Sequence, residues 1–248
     1  MDAVERPPHP HRALNAGSKT AWYRQCWPRL CRLYWLKCSG TTAIMFVFFA
    51  AYFHVLKHPA YPVTTMPVTV IDKLIPFYAP SLLIYASLWL YVSLPPAMLL
   101  GLRELIAYGF WITGLCVTGL LVFYFWPTAL VPYAVGPGQY WGFDMLRGVD
   151  AAANACPSLH VATAAFSFYW FDRVLKEMNA GVPGRVFNAL WFVAIAYSTL
   201  TTKQHVFIDV LTGFALGTAF ALPSLLHRKG VTWEAYQLQR PQTLNGGV

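Results

Sequence analysis

The chain has 248 residues, of which 57% are hydrophobic and only 11% charged. Soluble domains carry about 25% charged residues, so the composition excludes a soluble enzyme with a large core. It indicates a polytopic all-α membrane protein with room for roughly six spans and short loops. The formal charge of +8 does not point to a nucleic-acid partner, because Arg6, Arg12, Lys19, Arg24, Arg29, Arg32 and Lys37 all precede the first apolar run, as in a cytoplasmic tail.

In chain order, residues 1–20 are polar and proline-containing and read as disordered. Residues 21–38 interleave Trp22, Trp27, Leu30, Leu33, Tyr34 and Leu36 with arginines, which predicts an interfacial amphipathic helix on the inner membrane face. Together, 1–38 form a basic cytoplasmic tail that can also meet anionic headgroups. Its polar stretch is too long for a cleavable signal, so the next apolar run is read as a retained span. Six apolar segments follow, at 40–57, 78–98, 106–126, 158–175, 186–203 and 206–226. They make 39–227 a six-helix transmembrane catalytic domain and leave 228–248 as a C-terminal tail. Placing the N-terminus inside leaves only Lys57, Lys73, Arg147 and Lys203 on the outer side. Charge bias therefore predicts both termini in the cytoplasm of an inner membrane. The outer connection 127–157 is long and rich in Pro, Gly and aromatics, as in a substrate-facing cap.

Cys26, Cys31, Cys38, Cys116 and Cys156 offer no obvious pair in one oxidising compartment and no Cys-x-x-Cys spacing. Neither a disulfide framework nor a zinc site is expected.

Two polar islands interrupt the apolar sequence. One runs from Asn154 to His160, the other from Ser198 through His205 to Asp209. Ionisable residues beside a bilayer are a functional signal by default. Pro157 suits the first turn of a helix, so Ser158 and Leu159 would present backbone N–H groups to an anion with His160 as a proton donor. His205 and Asp209 are one helical turn apart and share a face. Asp209 can accept a hydrogen bond from one imidazole nitrogen and leave the other free to attack phosphorus. Lys203, Thr199 and Thr202 are the nearby candidates to neutralise phosphate charge, with Arg147 as a further cation. Structural alternatives stand beside these roles: Lys203 as a snorkelling anchor, Arg147 as a solvated loop residue, His54 and His58 as interfacial groups. Gly213 and Gly217 form a small-xxx-small pair suited to close helix packing.

The two islands together resemble the second and third motifs of the type 2 phosphatidic acid phosphatase superfamily. Leu159 stands where that pattern has glycine, and Thr199 where it has arginine. No counterpart of the first motif is recognisable near Pro127 to Pro132. Pro-Ser-Leu-His with Thr-Lys-Gln-His is similar to the branch that includes inositol phosphorylceramide synthases, itself akin to sphingomyelin synthases. The resemblance implies a His160–His205–Asp209 triad in which His205 forms a phosphohistidine and His160 first donates, then accepts, a proton. It implies no metal and no other cofactor.

The expected function is hydrolysis of a lipid phosphate monoester or pyrophosphate at the outer membrane face. The alternative is transfer of a phospho-headgroup to a hydroxyl acceptor. A remote alternative is a proton-coupled transporter using the same triad. A lipid substrate and the bilayer are the expected partners. The lipid's identity and the oligomeric state are not legible.

Overall fold

A computed structural model describes residues 21–131, 154–226 and 233–238. Among the described residues the fold is helical, apart from one pair of two-residue strands. Helix α1 spans Cys26–Cys31, α2 Tyr34–Lys57, α3 Val70–Leu74, α4 Leu82–Ala86, α5 Leu88–Met98 and α6 Leu102–Phe125. Then follow α7 Leu159–Glu177, α8 Gly181–Thr201, α9 Phe207–Leu226 and α10 Trp233–Leu238. Strands β1 (Thr64–Thr65) and β2 (Thr128–Ala129) pair in parallel and tie the loop after α2 to the loop after α6.

Helices lie in all six expected segments. Four are long and apolar enough to cross a membrane: α2, Ala79–Met98 (a short 3₁₀ turn with α4 and α5), α6 and α9. Helix α7 carries Asp172, Arg173, Lys176 and Glu177 in its second half, which lowers its apolarity. It is nonetheless the central helix. Val161, Ala162, Ala164, Ala165, Phe166, Ser167 and Trp170 are all inaccessible to solvent, so it is surrounded by protein on most sides.

The N-terminal segment is not one amphipathic helix. A 3₁₀ turn at Trp22–Gln25 leads into α1, and the chain breaks at Arg32 and Leu33, where Leu33 has φ 57°. Tyr34–Cys38 belongs to α2, so the first apolar helix is longer than the apolar run alone. Gln25, Arg29 and Lys37 of this strap turn into the protein, while Arg24 stays exposed. Helix α5 ends at Pro95, Pro96 and Met98, and its last carbonyls have no partner within the helix. Arg29 Nη1 donates to the Met98 carbonyl at 3.0 Å, Lys37 Nζ to Ala97 at 2.7 Å, and Arg32 Nε to Leu100 at 2.6 Å. Gln25 Nε2 reaches the Met178 carbonyl just past α7. Trp27 and Trp35 face outward.

The closest helix contact is between α7 and α9, and glycine makes it possible. A Cβ on Gly213 would overlap the Ser158 carbonyl oxygen, and one on Gly217 would overlap the Ala162 carbonyl oxygen and the Ala165 methyl. The small-xxx-small pair thus lets two backbones touch, and it aligns the first turns of both helices.

Candidate active site

His160 is the second residue of α7. The Ser158 hydroxyl caps that helix by accepting the Val161 N–H at 3.3 Å. The Ser158 N–H donates to the Asp209 carbonyl at 3.0 Å, which pins the start of α7 to the start of α9. Pro157 lies outside the first turn: it precedes the cap, behind a cis peptide bond. Thr128 holds this island from β2, its hydroxyl accepting the Cys156 N–H at 2.9 Å and its carbonyl the Ala155 N–H at 3.3 Å.

His205 is placed by the way α8 ends. Lys203 takes the left-handed conformation, with φ 56°. Its N–H donates to the Leu200 carbonyl, and the Gln204 N–H to Thr199. These two bonds form a Schellman stop, and the His205 N–H also reaches the Thr199 carbonyl, at 3.2 Å. The lysine ammonium donates to the carbonyls of Asp72 and Ile75, clamping the turn to α3. Burial pushes that ammonium below the ordinary lysine value, with Asp72 opposing the shift.

Asp209 is the third residue of α9 and is fully buried. Its Oδ2 accepts the Val206 N–H at 3.0 Å, as the third residue of a capping box does. The same oxygen lies 3.6 Å from His205 Nδ1. That is ion-pair range but longer than a hydrogen bond, and His205 Nδ1 and Asp209 Oδ1 have no hydrogen-bond partner. His205 Nε2 faces His160 Nδ1 at 3.3 Å. On the far side of His160, Nε2 lies 2.7 Å from the Tyr85 hydroxyl. Four titratable groups therefore form one line: Asp209, His205, His160, Tyr85. Asp209 Oδ2 is the acceptor beside His205 Nδ1, and His205 Nε2 is the nitrogen turned toward His160.

The expected triad is thus brought together by three helix ends. The other predicted contacts are placed differently. Ser158 has its N–H taken up by Asp209 and its hydroxyl by the cap. Leu159 packs its side chain against Gly119. Thr199 and Thr202 are buried, and their hydroxyls donate to the Ala196 and Ser198 carbonyls at 2.8 Å each. Arg147, with most of the expected cap loop, lies outside the described residues. Among the described residues, no group of three or more His, Cys, Asp or Glu side chains is arranged to hold a metal ion.

Two neighbours of the site escaped the sequence reading. Asp72 accepts the Phe207 N–H with Oδ1 at 2.7 Å and the Thr69 N–H with Oδ2 at 2.8 Å. It therefore caps α9 and α3 at once, and the Thr69-x-x-Asp72 spacing was its visible signal. Tyr85, which is 4% exposed, carried no signal, being one aromatic among many.

Searches of curated proteins and of solved structures give no significant match. Residues 124–233 match the sequence model of the PAP2 superfamily. That stretch holds His160, His205 and Asp209, and over it the chain is similar to the PAP2 superfamily, the type 2 phosphatidic acid phosphatases.

Proposed function

We propose that this chain is an integral-membrane lipid phosphatase that acts through a phosphohistidine on His205. The observation that carries the proposal is the facing pair, His205 Nε2 and His160 Nδ1, backed by a fully buried Asp209. His205 Nε2 attacks phosphorus, and the N–P bond forms as the bond to the lipid oxygen breaks. His160, as imidazolium, gives its Nδ1 proton to that leaving oxygen. In the second step His160 Nδ1 takes a proton from water, whose oxygen displaces His205 and releases inorganic phosphate. Asp209 stabilises the charge that builds on His205. No step draws on a metal.

In-line attack needs about 3–3.5 Å between nucleophile and phosphorus, and about 2.6–3.2 Å from the leaving oxygen to its proton donor. A nitrogen pair at 3.3 Å is therefore the substrate-free arrangement, and the phosphoryl group must part the two rings. The Leu159 N–H, in the first turn of α7, then supplies a donor to its oxygens. We assign Lys203 to holding the turn that carries His205.

The four apolar helices together with α7 and α8 make six spans. Arg29, Arg32, Lys37, Arg103, Arg173, Lys176 and Arg185 gather at the end opposite the histidines. By charge bias that end is cytoplasmic, with the site outside.

The test is phosphate release by the purified protein in detergent, over a panel of lipid phosphate monoesters and pyrophosphates, with EDTA present and His205→Ala alongside. Release from one lipid class, lost in the variant, supports the reading. Release unchanged in the variant, or abolished by EDTA, contradicts it.

A second reading, headgroup transfer, is favoured by one observation. Leu159 and Thr199, in the positions of the superfamily's glycine and arginine, are buried packing residues, so phosphate recognition is rebuilt. Products formed from phosphodiester donors only when hydroxyl acceptors are present would select it.

A further inference from the structure

Each imidazole of the pair has a partner on its far side. For His205 that partner is Asp209; for His160 it is Tyr85, whose hydroxyl lies 2.7 Å from Nε2 with the two ring centroids 5.0 Å apart. Tyr85 comes from α4, a helix that contributes nothing to either polar island, and it is nearly inaccessible to solvent. A phenol hydroxyl can both donate and accept, so it serves His160 in either charge state. The imidazolium gives its Nε2–H to the Tyr85 oxygen, and neutral His160 keeps that same Nε2–H bond once Nδ1 has lost its proton. In both cases Nε2 is engaged and Nδ1 points at His205.

We infer that Tyr85 is a positioning residue that commits His160 to proton transfer through Nδ1, the nitrogen that faces the nucleophile. The inference rests on the phosphatase reading and extends it. Tyr85 neither gains nor loses a proton over the cycle. His160 passes its Nδ1 proton to the leaving oxygen while keeping Nε2–H on Tyr85, and regains the Nδ1 proton from water. Without the hydroxyl the ring is free to turn, and the wrong tautomer competes. The second imidazole is thus oriented by a neutral group, where the first is oriented by a carboxylate.

The test compares Tyr85→Phe with wild type on dioctanoyl phosphatidate, whose alkoxide leaving group needs a proton, and on 4-nitrophenyl phosphate, whose leaving group does not. Expected is a fall of about 10- to 100-fold in kcat on the phosphatidate, the factor to which a lost hydrogen bond to a charged group converts. KM should stay nearly constant, and the first-turnover burst of 4-nitrophenol, which precedes the shared hydrolysis step, should change by less than about threefold. In a His160→Ala background the same substitution should add little, because coupled residues are not additive. Tyr91→Phe is the control: it removes another buried tyrosine hydroxyl, bonded to Asn188 Oδ1 at 2.7 Å, and should not discriminate between substrates. If the Phe variant folds poorly, 4-methylphenylalanine at position 85 fills the space without a hydrogen bond, and 3-fluorotyrosine, which keeps the hydroxyl, should retain activity.

Equal losses in the phosphorylation step of both esters, full phosphatidate activity in Tyr85→Phe, or an undiminished loss in the His160→Ala background would overturn the inference. His205→Ala separates this from the parent reading. If that variant is silent while Tyr85→Phe equals wild type, only the role of Tyr85 fails. If His205→Ala stays active, the phosphatase mechanism itself fails.

Discussion

The two ends of the helix bundle both bury polar groups, and they treat them in opposite ways. At the end formed by the strap, the C-terminus of α5 and the second half of α7, carboxylates are matched. Glu104 pairs with Arg173, Arg173 with Glu177 at 2.9 Å, and Asp172 with both Lys176 and Arg185 at 2.7 Å each. The cations of the strap donate to helix-terminal carbonyls. Burial there pulls the Arg29 guanidinium below its ordinary value, with Glu177 and Glu104 opposing. At the histidine end the groups are lined up but not closed into pairs. His205 and Asp209 stand 3.6 Å apart, and among the described residues each keeps one polar atom without a hydrogen bond, while Arg29 and Arg173 also keep unbonded nitrogens at the other end. The matched end is what holding helices together requires. At the histidine end the carboxylate and the imidazole stand side by side beyond hydrogen-bond length.

Substitutions should split along this difference. The largest effect belongs to His205→Ala, which should lower phosphate release by at least about 10⁴-fold, since removing a nucleophile removes the covalent route. The detergent-solubilised melting temperature should hardly move. At the other end, Arg173→Met leaves Glu104 and Glu177 without their shared partner. It should cost about 3–5 kcal/mol of stability, read as a lower melting temperature, while turnover per folded molecule stays the same. A loss of turnover without a loss of stability there would erase the distinction between the ends. Gly217→Leu forces α7 and α9 apart at their closest approach and should cost about 1–3 kcal/mol or more. Because that contact also aligns His160 with Asp209, activity should fall alongside stability. Smallest is Asp72→Ala, which removes the cap on α3 and α9 for about 0.5–2 kcal/mol; the remaining folded protein should show a modest fall in kcat.

What the sequence disclosed follows from how local each cause is. The helix positions were legible because each apolar run is long and bounded by Pro, Gly or polar residues. The His205–Asp209 pair was legible because one helical turn fixes it. That α9 packs closely on a neighbour could be read from Gly213 and Gly217, since only small residues permit backbone contact, but not that the neighbour is α7. The strap was misread because Leu33 is an unmarked break and because the receptors for Arg29 and Lys37 lie some sixty residues away or more. Lys203 looked like a phosphate ligand by proximity in sequence, but its side chain reaches back to α3, more than 120 residues earlier. Tyr85 meets His160 across 75 residues, and no local pattern announces it.

The central claim is that His205 becomes phosphorylated. The direct measurement is a rapid acid-free quench of the protein with radiolabelled phosphatidate, followed by denaturing separation. A label that is acid-labile and base-stable, builds up before product release and is absent in His205→Ala is the predicted result. Steady turnover with no label on the protein, or a label that survives in His205→Ala, would contradict the account.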